Sequence, residues 1–293
     1  MVARKHFWAW IFLLLPFSAY SLVVVGPTLY SFYFSLTDWN LLKSNHHFIG
    51  LDNFRALFVD SDFWQAFTNT AIWTVIGLFA SLIIGFALAL LLSRTRIWGR
   101  AIKSMFFLPL ALSLVVVGFI WFWIYRFDFG LLDKVLRGVG LGFLAKDWLA
   151  NSSTALIAVI VAWAWQQISL SMIIFLAGLT SVSAELIEAS QMDGAKWKSQ
   201  IRHVVIPSIG PAISVVISLA LINSLKTFDI IYVMTQGGPY GTTRTLSVLS
   251  YREAFRSYNF GYSSAVAVVL FILTVIIIGG FMRLAKWGGL NEE

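Results

Sequence analysis

Between Met105 and Tyr125 the chain reads MFFLPLALSLVVVGFIWFWIY, with no charged side chain. A helix rises about 1.5 Å per residue, so about 20 such residues cross a bilayer core about 30 Å thick. Five further stretches have the same character: 7–34 (with Pro16 and Pro27 inside it), 71–92, 154–179, 207–225 with an apolar continuation to 234, and 262–282. Only helices and closed barrels satisfy their backbone in lipid, and these runs lack the alternation of a barrel. The expected fold is an all-α membrane protein with six transmembrane helices, forming one membrane domain over residues 1–293.

Composition supports this. The chain is 59% hydrophobic and 16% aromatic, with a mean hydropathy of +0.81. A soluble core needs more polar surface than that. There is no cysteine, hence no disulfide framework and no thiolate metal site. The formal net charge of +7 has no soluble basic domain to carry it, so no nucleic-acid partner is expected; basic excess in such a chain points to cytoplasmic loops and membrane lipid. The opening MVARK resembles a signal-peptide n-region. The apolar stretch after it is too long and shows no small-residue cleavage site, so it reads as an uncleaved span. No internal repeat or low-complexity tract stands out.

Lysine and arginine fix the expected sidedness. The short loop 93–104 holds Arg94, Arg96, Arg100 and Lys103 and no acid. Arg4 and Lys5 near one terminus and Arg283 and Lys286 near the other fall on the same side. By the positive-inside rule both termini and the segment 180–206 are cytoplasmic. The outer loops still carry Arg126, Lys134, Arg137 and Lys146, so loop 93–104 bears most of this inference.

The segment 183–206 reads SAELIEASQMDGAKWKSQIRHVVI. Ser183 is a candidate N-cap, and Glu185 falls in the first turn, where the helix dipole favours an acid. Leu186, Ala189 and Met192 recur at helical spacing. Asp193-Gly194 signals the end of that helix. A basic second helix with Lys196, Lys198 and Arg202 is expected next, and Pro207 suits the first turn of the fifth span. On physics alone the segment is either an amphipathic linker on the membrane or a docking helix for a soluble protein.

These residues carry a resemblance. Glu188-Ala189-Ser190, three residues, Gly194, nine residues, Val204, one residue and Ile206-Pro207 resemble the EAA loop of ABC-transporter permease subunits. Ser190, Val204 and Ile206 stand where the family usually has alanine, isoleucine and leucine. The stretches GLDNFRALFVDSDFWQAFTNTAIWTV, FFLPLALSLVVVGFIWFWIY and MTQGGPYGTTRTLSVLSYREAF are similar to carbohydrate-type importers, in the group of the maltose permease first subunit and the glycerol-3-phosphate permease. The resemblance implies a type I importer fold with a second permease subunit, two ATPase subunits and an extracytoplasmic solute-binding protein as partners. It implies ATPase coupling through Glu188, Ala189, Ser190, Asp193, Gly194 and Pro207. The large outer domain of the maltose protein has no counterpart in this sequence.

The chain has no G-x-x-x-x-G-K-[ST], so ATP and magnesium belong to the partner ATPase and this chain binds no cofactor of its own. His46-His47 is an adjacent pair without further ligands, which reads as solvated, and no metal site is expected. No nucleophile–base pair suggests an enzyme.

Polar residues inside spans mark candidate pathways. In AWAWQQISLSM, Trp163, Gln167 and Ser171 form one stripe at i, i+4 and i+8, with Gln166 beside it. Amides and indoles suit sugar hydroxyls and C–H faces, but Gln also joins helices and Trp also fills interfacial belts. By resemblance Gln167 and Leu170 fall at sugar-lining positions. In INSLKTFD, Asn223, Lys226 and Thr227 share a face. Ser224 and Thr227 match sugar-contacting positions of the family. Lys226 either pairs with Asp229 or meets an anionic group on the substrate. The TQGGPYG stretch reads as a tight outer turn through Gly237, Gly238 and Pro239; in the family this region lies near the outer gate. A secondary transporter would need ion-coupling carboxylates in its spans, and only Asp229 qualifies.

Overall fold

The computed structural model describes residues 12–42, 46–93 and 99–287. Arg4, Lys5, Arg94 and Arg96 lie outside the described residues, as do the side chains of Arg100, Lys103 and Lys286. The helices are α1 (Phe12–Phe34), α2 (Asp52–Val59), α3 (Ser61–Ser93), α4 (Gly99–Ala111), α5 (Leu114–Ile124), α6 (Leu131–Gly138), α7 (Ala155–Thr180) and α8 (Ala184–Met192). They continue as α9 (Trp197–Ser208), α10 (Gly210–Leu225), α11 (Asp229–Met234), α12 (Leu246–Phe255) and α13 (Phe260–Trp287). No strand occurs among the described residues. Among the described residues, four helices are long and apolar enough to cross a membrane, or up to six if each of two bent pairs is one span.

Two expected spans are broken. The run 105–125 was expected as one helix, but α4 and α5 meet at an angle of 109°. Pro109 removes one helical N–H near the end of α4. Ser113 then starts α5 as its N-cap, its hydroxyl accepting from the Val116 N–H at 3.4 Å. The fifth span was expected to open at Pro207. Instead Pro207 lies in the last turn of α9, which bends by 75° into α10. Gly210 opens α10 and Pro211 occupies its first turn, the position where a missing N–H costs nothing. Pro207 and Pro27 each follow a π-helical turn, at Ile201–Val205 and Ser21–Val25 respectively. A widened turn makes room for a proline ring that would otherwise strike a carbonyl one turn back.

The chain forms two compact units, residues up to 63 with 249–271, and 64–248 with residues from 272 onward. In the first, the buried Asn53 amide donates to the carbonyls of Ser35 and Thr37, each at 2.9 Å. Tyr262 donates to Asp60. Arg252 donates to Asp62 at 2.7 Å and to Glu253 at 2.9 Å. Burial by itself would lower the pKa of this guanidinium, but its hydrogen bonds to Asp62 and Glu253 outweigh that and leave it raised.

The second unit is organised around α7. Its core joins Trp73 of α3, Val117 of α5, Val159 and Trp163 of α7, and Ile230 and Ile231 of α11. Gly118 lets α5 approach α11 closely, with a hypothetical Cβ only 3.2 Å from Val233 Cγ1. The Tyr125 hydroxyl donates to the Ala158 carbonyl at 3.1 Å, tying the end of α5 to α7.

Candidate functional site

The segment between α7 and α10 is built from local signals. The Ser183 hydroxyl accepts from the Glu185 N–H at 3.2 Å and so caps α8. The helix stops at Met192, and Gly194 takes φ +76°, the left-handed region that glycine enters without penalty. The Gly194 N–H donates to the Gln191 carbonyl and the Ala195 N–H to that of Ser190, closing the last turn. No residue of α8 is buried. Met192 is 89% exposed, and Leu186 and Trp197 are also open. Glu188, Ala189 and Asp193 are exposed, while Ser190 is half-buried and donates to the Ile187 carbonyl at 2.7 Å. Pro207, expected to belong with this set at the head of the fifth span, is exposed at the end of α9.

Two members of the α7 stripe, Trp163 and Ser171, pack against α3. Trp163 is 0% exposed, and its ring lies 5.6 Å from that of Trp73. A Cβ on Gly77 would stand 2.4 Å from Trp163 Cζ3, and one on Gly85 would stand 2.7 Å from Ser171 Cβ. Gly77, Ser81 and Gly85 repeat at i, i+4 and i+8 on α3. A row of small residues thus receives the Trp163 and Ser171 side of α7, the close-approach geometry common between membrane helices. That small-residue row was the sequence signal for this seam, and the polar stripe alone concealed it.

Gln166 is also redirected. Its amide nitrogen donates to the Pro109 carbonyl at 3.1 Å and to that of Leu112. These carbonyls sit at the break between α4 and α5, where the Pro109 carbonyl also accepts a turn bond from the Leu112 N–H at 3.3 Å. Gln166 therefore caps the broken helix.

What the fold does bring together is Gln167 and the end of α10. The Asn223 amide donates to Gln167 Oε1 at 3.1 Å. Leu170 lies half-buried one turn along α7. Ser224 and Thr227 are buried and hydrogen-bond to the carbonyls of Leu221 and Asn223. Residues 226–228 interrupt the helix before α11. Lys226 and Asp229 flank this break, both exposed, and no ion pair joins them among the described residues.

The outer turn is tight. Gly238-Pro239 is a cis peptide, and Gln236, Gly237, Tyr240 and Gly241 all have positive φ. Thr243 donates to the Gly238 carbonyl at 2.8 Å. Asn69 of α3 donates to the carbonyls of Gly241 and Arg244, at 3.1 and 2.9 Å. Sequence reasoning passed over Asn69, although an amide near the start of a long apolar helix was a visible signal.

The family model for the inner membrane component of binding-protein-dependent transport systems matches residues 81–285. The multiple sugar-binding transport system permease protein MsmF of Streptococcus mutans is 33% identical over 290 residues, covering 98% of this chain and 99% of that protein. The sulfoquinovosyl glycerol transport system permease protein SmoG of Agrobacterium fabrum is 32% identical, covering 91% of this chain and 86% of that protein. The crystal structure of a bacterial alginate ABC transporter, in complex with its pentasaccharide-bound periplasmic protein, contains a chain that superposes with a TM-score of 0.84. That chain is 21% identical and covers 96% of this chain, which covers 95% of it. The all-α architecture is that of a type I ABC importer permease. The match over residues 81–285, together with relatives above 30% identity along nearly the whole length, places this multi-pass membrane chain in the family of inner membrane components of binding-protein-dependent transport systems.

Proposed function

We propose that this chain is one of two different translocation subunits of an importer for a sugar or sugar derivative, set in a bacterial cytoplasmic membrane with both termini inside. The class includes oligosaccharides, polyols and anionic sugars or glycerol phosphates. Its partners are a second permease subunit, two ATPase subunits that hold ATP and magnesium, and an extracytoplasmic solute-binding protein. The chain itself performs no chemistry. The names of MsmF and SmoG support the substrate class.

One observation carries the coupling role. α8 is held between two spans by its own cap and turn, yet buries none of its residues. An exposed face with Leu186 and Met192, bordered by Glu185 and Glu188, is suited to a groove on a soluble partner. When the paired ATPases close on ATP, a helix docked in that groove moves with them. α9 and the 75° bend at Ile209 lie between the docked helix and α10, so the motion reaches the end of α10 where Asn223, Lys226 and Thr227 sit. We place the substrate path there, with Gln167 and Leu170 opposite and the turn at Gly237, Gly238 and Pro239 toward the outer gate.

The test is reconstitution with the partner subunits in vesicles. Glu188→Lys combined with Gly194→Trp abolishes ATP-driven uptake while the ATPases still hydrolyse ATP. Undiminished uptake in that double variant, or uptake by the chain without any ATPase, overturns the reading.

A further inference from the structure

Residues 126–148 immediately precede the segment that leads into α7, a span-length helix, so they lie at one end of a membrane crossing. Transport does not account for them. α6 turns Leu132 toward the core and buries Asp133. Its other side exposes Leu131 and Val135, and Val139 continues the row at i+8. Phe129 before the helix is 53% exposed and Phe143 after it is 79% exposed. Water is a poor neighbour for so many large apolar groups on one short segment.

The cations of the segment divide into two kinds. Arg137 is neutralised within the fold, donating to Asp133 at 2.8 Å and Asp128 at 3.2 Å. Arg126, Lys134 and Lys146 have no carboxylate partner among the described residues. Arg126 sits against the rings of Phe122 and Phe129, at 5.5 and 5.6 Å from their centres. Lys146 lies 5.0 Å over Trp148. On α6, Lys134 is next to the Leu131–Val135 stripe. Exposed apolar side chains beside aromatic-braced, unneutralised cations fit one surrounding: the boundary where acyl chains meet phosphate headgroups.

We propose that 126–146 is an interfacial anchor in which Leu131, Val135, Val139 and Phe143 enter the acyl region and Arg126, Lys134 and Lys146 hold lipid phosphates. This inference requires only that α7 crosses a bilayer, and it is independent of what the protein transports.

The absence of native cysteine permits a direct test on the full chain. Spin labels are placed singly at Val135→Cys and Phe143→Cys, with Gln191→Cys on α8 as the aqueous reference, in phosphatidylcholine vesicles with and without phosphatidylglycerol. The expected result is faster relaxation by oxygen than by a water-soluble nickel chelate at 135 and 143, and the reverse at 191. Nickel access exceeding oxygen access at 135 and 143 overturns the anchor. Loss of both accessibilities also overturns it, because a protein then covers the face. Lys134→Glu with Lys146→Glu should lower the oxygen-to-nickel ratio at 135. A loss confined to phosphatidylglycerol vesicles identifies an anionic headgroup, and an equal loss in both identifies the phosphodiester of any phospholipid. No loss in either overturns the phosphate contacts.

Discussion

Asn223 donates a 3.1 Å hydrogen bond to the side-chain oxygen of Gln167, joining α10 to α7 just before α10 ends. Buried amide pairs between membrane helices contribute about 0.6 kcal/mol on average and about 1.7 at most. Gln167→Leu and Asn223→Leu should each destabilise the folded chain. A double-mutant cycle read by thermal unfolding should return a coupling within that range. Additive effects would show that the pair does not act as one.

The second prediction concerns the α3–α7 seam. A methyl group at Gly77 meets Trp163 Cζ3 at 2.4 Å, and overpacking of a closed core typically costs about 1–3 kcal/mol. Gly77→Ala should lower the melting temperature. Adding Trp163→Phe removes the part of the ring that clashes and should recover most of the loss. Failure of the rescue would mean that Trp163 does not fill the space at Gly77.

A third prediction separates Gln166 from its neighbour. Gln166→Leu takes the side-chain donor from the Leu112 carbonyl at the 109° break and leaves the Pro109 carbonyl with the Leu112 N–H at 3.3 Å. Each unmade bond to a buried group costs about 1–3 kcal/mol. The variant should melt earlier, with the Michaelis constant for uptake unchanged. A raised Michaelis constant without a change in melting would return Gln166 to the substrate path.

These cases show what was readable from sequence and what was not. The cap at Ser183, the stop at Met192 and the turn at Gly194 depend on residues within a few positions of each other, so their chemistry is local. The four long apolar helices were readable for the same reason, because hydropathy is summed along the chain. Breaks within spans were harder. Pro109 and Ser113 were visible, but the Gln166 amide that donates to the Pro109 and Leu112 carbonyls at the break lies more than fifty residues away. The Trp163–Gln167–Ser171 stripe was correctly placed on one helical face. Periodicity cannot say whether such a face meets a cavity or another helix, and the deciding residues, Gly77 and Gly85, belong to a different span.

The last prediction concerns Gly194, where space and backbone can be separated. No atom lies within 4 Å of a Cβ built there, and φ is +76°. A substitution therefore meets only the cost of the left-handed conformation, about 1–2 kcal/mol for most residues and less for asparagine. Gly194→Asn should keep α8 in place and retain uptake. Gly194→Val, β-branched and poorly suited to positive φ, should shift the turn and lower uptake several-fold. Its melting temperature should change little, because α8 buries no residue. ATP hydrolysis by the partner subunits should continue in the valine variant, as expected for lost coupling. Equal uptake by the two variants would show that the turn geometry does not set the docking of α8.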